Sequence, residues 1–187
     1  MQQKLFEETP VDEYKSVTQS TNYFGEIVPV YKRTKRLANL VKFAKMNTPN
    51  AIVKYFREIW AADIGLRERV YVAFFNSNNQ VIGHCELGSG GVTSAVVDVR
   101  LLFQRALLCP GTVSFAIAHC HPSGNLNPSG ADNHLTAMLA TAGKTMEFVL
   151  LDHFILTLDS FFCYSQDASH SKYLVPKKLT TKIPEGS

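Results

Sequence analysis

Short apolar runs rich in β-branched and aromatic residues recur along the chain and predict β-strands. These runs lie at residues 70–75, 80–87, 113–118, 146–151 and 154–158. The polar segment 76–79, Asn-Ser-Asn-Asn, joins the first two runs and predicts a hairpin between them. An earlier run, 26–32, contains a proline and is predicted to be an edge strand, because a missing backbone N–H is tolerated at an edge.

Between these runs the apolar residues change to helical spacing. The first predicted helix has Thr48 as its N-cap and Pro49 at its first position. Its apolar stripe comprises Ile52, Tyr55, Phe56, Ile59 and Trp60. A second helix is predicted over 99–108, and a third continues over 134–142 and ends at Gly143. Strands that alternate with helices predict an α/β fold built around one sheet.

The composition is that of one ordinary globular domain. Of the 187 residues, 45% are hydrophobic and 19% are charged, which suffices for a single core. We predict an N-terminal extension over 1–47, a folded domain over 48–170 and a basic C-terminal tail over 171–187. No apolar run approaches the ~20 residues that cross a bilayer, so no membrane span is expected. The four cysteines lack a metal-binding spacing and are expected to be reduced thiols of a cytoplasmic protein.

The segment that follows the third apolar run carries the chemistry of a metal site. From 119 to 132 it reads His-Cys-His-Pro-Ser-Gly-Asn-Leu-Asn-Pro-Ser-Gly-Ala-Asp. Alternation along a strand points His119 and His121 to the same side. Ser129 is the predicted N-cap of a helix whose first turn contains Asp132. Two imidazole nitrogens and a carboxylate oxygen suit Zn²⁺ and leave its fourth position open, as hydrolysis requires.

The spacing of these residues resembles that of a known family. His-x-His, seven residues, Ser, two residues and Asp is similar to the JAMM (JAB/MPN) metallopeptidase signature, and His-x-His-Pro-Ser-Gly with Pro-Ser-x-x-Asp resembles its RadC branch. Further RadC-like segments are Gly90 to Thr93, Val97 to Leu107 and Leu151 to Leu156. The resemblance covers 48–170 and implies a single domain with an MPN/JAB-type mixed β-sheet flanked by helices. It also implies Zn²⁺ held by His119, His121 and Asp132.

The JAMM mechanism that the resemblance implies needs a glutamate upstream of the histidines as general base. Glu68 is the preferred candidate because it follows a predicted helix and precedes the strand at 70–75, the order found in JAMM proteins. Glu86, near the end of the second predicted strand, is the alternative. Many RadC proteins carry Pro-Arg-Glu where this chain has Val99-Arg100-Leu101. If the base were that missing glutamate, the chain would bind metal without turnover.

Three features beside the predicted ligands have their own interpretations. The Ser129 hydroxyl is predicted to cap the helix and, as in JAMM enzymes, to steady the water or the developing oxyanion. Cys120 lies between the two histidines, and alternation turns its side chain away from the metal, so it is predicted to be a core residue. Asp152-His153 at the end of a predicted strand is either a pair that orients a ligand or a turn with a hydrogen-bonded aspartate.

The favoured function is that of a zinc-dependent hydrolase of the RadC/JAMM type that cleaves a peptide or isopeptide bond, with a peptide or protein as substrate. In the implied mechanism Glu68 accepts a proton from the attacking water and returns it to the leaving amine, while Ser129 assists the oxyanion. A metal-binding domain without turnover is a second interpretation.

A DNA-associated accessory protein of repair or recombination is the alternative from a different class. The segment 32–45 carries Lys32, Arg33, Lys35, Arg36, Lys42 and Lys45. No acidic residue occurs over 27–57, and such a segment can contact phosphates. The net charge is only +3, however, and no zinc-finger, RRM or helix-turn-helix signature is present. A solvated basic surface is therefore the preferred interpretation of 32–45.

Overall fold

The computed structural model describes residues 46–60, 64–89 and 97–175, which form one five-stranded sheet with helices on both faces. The elements are α1 (Pro49–Trp60), β1 (Arg69–Phe75), β2 (Val81–Ser89), α2 (Val99–Leu108), β3 (Ser114–Cys120), α3 (Gly130–Thr145), β4 (Val149–Leu156) and β5 (Phe161–Cys163). The strand order is β2-β1-β3-β4-β5. Only β3 and β4 pair in parallel, and the other neighbours are antiparallel. The predicted fold, a mixed sheet flanked by helices, is confirmed.

Helix α1 covers one face of the sheet. The Oγ of Thr48 accepts the backbone N–H of Ala51 at 3.3 Å, and Pro49 supplies the fixed φ of the first helical position. The buried residues of α1 are Ile52, Val53, Tyr55, Phe56 and Trp60. They pack with the strand residues that point to this face, which are Ala73, Phe75, Ala116, Ala118, Phe154 and Leu156. The predicted cap and the predicted apolar stripe are both confirmed.

Helices α2 and α3 cover the opposite face. Asp98 caps α2, and its carboxylate accepts the backbone N–H of Arg100 at 2.9 Å. The strand residues that point to this face are Val70, Val72, Phe74, Phe115 and Ile117. They pack with Leu102, Phe103 and Ala106 of α2 and with Leu139 and Ala140 of α3. Alternate residues of β1 and β3 therefore enter different cores, and the sheet is the middle of three layers.

The end of α3 differs from its prediction. Gly143 was expected to terminate the helix, but α3 continues to Thr145 and its C-cap is Met146. A Cβ at position 143 would lie 2.8 Å from the carbonyl oxygen of Phe148 and 3.2 Å from the ring of Phe115. The glycine is therefore required for close packing of the helix against the sheet and not for a left-handed cap.

The polar pair Asp152-His153 does not interrupt its strand. Two strands were predicted around it, but β4 is continuous from Val149 to Leu156, so the turn interpretation is wrong. The Asp152 carboxylate accepts the backbone N–H of His153 at 2.8 Å, the thiol of Cys163 at 2.9 Å and the hydroxyl of Ser165 at 2.5 Å. Because these donors replace water, a buried carboxylate is tolerated inside the sheet. The strand β5, which supplies Cys163, was not predicted.

Several predicted features lie outside the described residues. These are the edge strand at 26–32, the basic segment 32–45 and most of the C-terminal tail. Within the described part of the chain, none of the helices combines the length and the apolar character needed to cross a membrane.

Candidate metal centre

The two predicted histidine ligands lie at the end of the central strand β3. His119 is the penultimate residue of β3 and is 2% exposed, whereas His121 directly follows the strand and is half-buried. Phe115 and Ile117, which lie on the same face of β3 as His119, enter the core beneath α2 and α3. Cys120 enters the opposite core beneath α1, where its Sγ donates to the carbonyl of Arg67 at 3.0 Å. The prediction that Cys120 is a core residue is confirmed.

The candidate ligand atoms lie around His119 Nε2. His119 Nε2 lies 2.9 Å from His121 Nε2 and 3.2 Å from Asp132 Oδ1. Glu68, His119 and His121 each present a ligand atom within 4.8 Å of the others. Glu68, directly before β1, therefore approaches both histidines, whereas Asp132 lies outside this group of three and reaches the centre through its contact with His119.

The first turn of α3 fixes the Asp132 carboxylate. Ser129 is the N-cap, as predicted, and its Oγ accepts the backbone N–H of Asp132 at 3.1 Å. In return, Asp132 Oδ2 accepts the Ser129 backbone N–H at 2.7 Å and the Ser129 hydroxyl at 2.6 Å. This capping box holds Oδ2 and leaves Oδ1 directed at His119. The Ser129 hydroxyl donates its proton to the Asp132 carboxylate. The role of this hydroxyl at an oxyanion stays a prediction.

Strand register brings Glu68 to the histidines. Strand β1 pairs antiparallel with β3, and Val70 is the partner of His119. Continuing that register by two residues places Glu68 level with His121. Glu86 instead accepts the Tyr71 hydroxyl at 3.0 Å and forms an ion pair with Arg69 at 3.6 Å. Of the two candidate glutamates, only Glu68 joins the histidine cluster within the described residues.

Each histidine uses its Nδ1 for a hydrogen bond. His121 Nδ1 lies 2.6 Å from the carbonyl oxygen of Asn125, and because a carbonyl only accepts, Nδ1 carries the proton. His119 Nδ1 lies 2.8 Å from Nε2 of the fully buried His153. His153 Nδ1 in turn lies 2.6 Å from Oγ of Thr136. At the sequence level, a ligand-orienting role for His153 was one of two interpretations, and no sequence pattern indicated Thr136.

Burial keeps the inner imidazoles neutral. It lowers the pKa of His119 to about 4; the Asp132 carboxylate opposes this shift, and the neighbouring His121 ring adds to it. The pKa of His153 also lies well below its usual range, chiefly because the ring is fully buried. Neutral imidazole is the form that binds a metal ion.

The arrangement fits a zinc ion by its donor chemistry. His121 carries its proton on Nδ1, so its Nε2 lone pair faces His119 Nε2, which also faces the Asp132 carboxylate. Electron-pair donors this close together repel one another unless a proton or a metal ion lies between them. Bonds of about 2.0–2.1 Å in a tetrahedral site place neighbouring ligand atoms about 3.4 Å apart, close to the 2.9 and 3.2 Å found here.

Comparison with known proteins identifies the family of the chain. A family model described as a RadC-like JAB domain matches residues 46–170. A UPF0758 protein of Flavobacterium johnsoniae is 39% identical over 97 residues, which cover 52% of this chain and 42% of that protein. A UPF0758 protein of Haemophilus ducreyi is 30% identical over 125 residues, which cover 67% of this chain and 55% of that protein.

The matched part of the chain thus spans about half the length of the curated relatives. The family match, by contrast, includes every described strand and the whole candidate metal centre. This chain belongs to the RadC-like JAB domain family.

Proposed function

We propose that the protein is a zinc-dependent hydrolase of the RadC/JAMM type that cleaves a peptide or isopeptide amide bond with an activated water. The observation that carries the proposal is that His119 Nε2 contacts both His121 Nε2 and Asp132 Oδ1, while the Glu68 carboxylate lies beside the two histidines. The first three residues would hold one Zn²⁺. When bound, zinc lowers the pKa of a water toward ~7 and polarises a carbonyl.

The protein side chains supply proton transfer and orientation. Glu68 accepts a proton from the water whose oxygen attacks the carbonyl carbon. Glu68 then donates this proton to the amide nitrogen as the C–N bond breaks, so a free amine leaves and the base is regenerated. Ser129 holds the Asp132 carboxylate through two hydrogen bonds, and Asn125 orients His121 through its backbone carbonyl.

The substrate and the setting are also proposals. A peptide or protein substrate suits a half-buried glutamate at the end of the sheet, beside residues that would hold zinc through three protein ligands. The four cysteines are free thiols, which suits a protein of the reducing cytoplasm. Binding of nucleic acid through 32–45 stays a prediction.

Metal content and activity test the two parts of the proposal separately. We expect about one zinc per chain by elemental analysis, and we expect the content to fall sharply in His121→Ala and Asp132→Asn. Glu68→Gln should keep the zinc but lose at least about 100-fold in the rate of cleavage, because a positioned base contributes 10²–10⁴-fold. The substrates are a panel of peptides and isopeptide-linked conjugates.

Glu86→Gln is the matched control, because Glu86 binds Tyr71 and Arg69 outside the cluster. It should change neither zinc content nor rate. Absence of zinc from the purified protein, with no effect of His121→Ala, would contradict the metal site.

Metal binding without turnover is the second candidate, and Leu101 favours it because many RadC proteins carry glutamate at this position of the motif. Residue 101 lies in the first turn of α2. If zinc is present but Glu68→Gln and the unsubstituted protein are equally inert on the whole panel, this second function replaces the first.

A further inference from the structure

A chain of buried side chains runs from the backbone of α3 to the inner histidine of the metal centre. Thr136 Oγ lies 2.6 Å from the carbonyl oxygen of Asp132 and 2.6 Å from His153 Nδ1. His153 Nε2 lies 2.8 Å from His119 Nδ1. Thr136 and His153 have no exposed surface, so neighbouring protein atoms decide whether each atom donates or accepts.

The single hydroxyl proton of Thr136 sets the direction of this chain. The carbonyl of Asp132 can only accept, so the hydroxyl donates to it. The hydroxyl oxygen must then accept from His153 Nδ1, which therefore carries the ring proton. The described partners of the His153 ring are an imidazole, a hydroxyl and the ring of Tyr164, none of which is a carboxylate. His153 is therefore neutral, and its Nε2 is an acceptor.

His119 must consequently donate from Nδ1 to His153. We propose that His153 and Thr136 are positioning residues that hold His119 in its Nδ1-protonated tautomer, the form whose Nε2 can bind a metal ion. The ring of Tyr164 stacks on His153 with centroids 4.8 Å apart and planes at 8°, which restrains rotation of the histidine. The relevance to metal binding rests on the proposed function, but the tautomer itself does not.

The reverse direction of the same hydrogen bonds would disable the site. If Thr136 donated to His153 Nδ1, His153 would donate from Nε2, and His119 would carry its proton on the nitrogen that faces Asp132. The Thr136 oxygen and the Asp132 carbonyl would then face each other at 2.6 Å without a proton between them, which is unfavourable. The backbone carbonyl of one candidate ligand thus determines the tautomer of another.

The test removes the hydroxyl of Thr136 and measures two properties other than activity. Thr136→Val keeps the β-branched shape but leaves His153 Nδ1 without an acceptor. We expect the zinc dissociation constant, measured by competition with a chromophoric chelator, to rise about 10-fold, at the lower end of the effect usual for partners of metal ligands. In the metal-free protein, long-range ¹H–¹⁵N spectra should show His119 protonated at Nδ1, and the Nε2-protonated form should appear in Thr136→Val.

Thr136→Ser keeps the hydroxyl and should have the zinc affinity and the His119 tautomer of the unsubstituted protein. Thr145→Val is the matched control, because exposed Thr145 makes the same kind of bond, to the carbonyl of Thr141 at 3.1 Å, far along the same helix. Unchanged affinity and tautomer in Thr136→Val would overturn the proposal. If Thr136→Val does not fold, Thr136→Ala carries the same two measurements.

A further outcome separates this proposal from the proposed function. If the unsubstituted protein binds no zinc, the proposed function fails. The tautomer measurement then still decides the present proposal: a shift in Thr136→Val supports it, and an unchanged His119 signal overturns it.

Discussion

At the scale of the residue, the two carboxylate oxygens of Asp132 have different roles. Its Oδ2 completes the capping box of α3, while its Oδ1 faces His119 at 3.2 Å. Ser129 is the partner in the capping box, so the stability of the helix terminus and the orientation of the candidate ligand depend on the same two hydrogen bonds.

Removing the Ser129 hydroxyl should therefore lower two quantities together. In Ser129→Ala, the loss of the N-cap should lower the free energy of unfolding by about 1 kcal/mol. Zinc affinity should also fall, because Asp132 keeps only the backbone donor of residue 129. Urea unfolding and chelator competition measure the two effects. Ser129→Thr retains the hydroxyl and should keep the stability and the zinc affinity of the unsubstituted protein. If Ser129→Ala loses stability but keeps its zinc affinity, the Asp132 carboxylate is oriented independently of the Ser129 hydroxyl.

At the scale of the element, the packing of α3 on the sheet depends on one residue without a side chain. Gly143→Ala should destabilise the protein by about 1–3 kcal/mol, the usual effect of overpacking, although alanine is the better helix former by about 1 kcal/mol. The reason is the carbonyl oxygen of Phe148, a backbone atom that would lie 2.8 Å from the new Cβ.

Gly130 provides the comparison for this experiment. It also lies in α3, but a Cβ there meets nothing within 4 Å, so Gly130→Ala should leave the stability unchanged or raise it slightly. Urea unfolding of both variants measures the difference. Equal stability of the two would mean that α3 shifts to accommodate the methyl group.

The element boundaries show where prediction from sequence patterns succeeds and where it fails. Helix α2 was predicted at its observed bounds because apolar spacing and the stop at Cys109-Pro110-Gly111 agree. Strand β4 was divided wrongly because Asp152 and His153 look like a break when only neighbours in sequence are considered. Their hydrogen-bond partners, Cys163, Ser165 and Thr136, come from other elements, and no local pattern reveals them.

At the scale of the whole molecule, the site combines two separate parts of the sequence. The motif from His119 to Asp132 could be predicted because its residues are close in sequence and their spacing is characteristic. Glu68 lies far upstream, and its approach to the histidines depends on the antiparallel pairing of β1 with β3. Its selection from the sequence rested on the order of elements in a related family, since spacing alone does not distinguish it from Glu86.

Global stability should depend on pH through the buried histidines. In the metal-free folded protein the pKa of His119 is lowered from 6.5 to about 4. The unfolded chain therefore takes up a proton near pH 6.5, while the folded protein resists it until about pH 4. The contribution of the neutral His119 ring to the free energy of unfolding is thus fully present above pH 6.5. It is lost as the pH falls toward 4, by up to about 1.4 kcal/mol per pH unit for one imidazole. The pKa of His153 is shifted in the same direction.

Urea unfolding of metal-free protein between pH 7.5 and 5 measures this dependence. His119→Gln removes one of the titrating groups and should flatten the profile. A free energy of unfolding that stays constant from pH 7 to 5 in the unsubstituted protein would contradict the burial of neutral imidazoles.

The capping box at the start of α3 also has a consequence for metal selectivity. Because Oδ2 of Asp132 is occupied by two donors from Ser129, the carboxylate can coordinate in a monodentate manner only, through Oδ1. Calcium requires six to eight oxygen ligands and often uses both oxygens of a carboxylate. A centre with two imidazoles and one available carboxylate oxygen from this turn is too poor in oxygen for calcium, so a physiological excess of that ion should not occupy it.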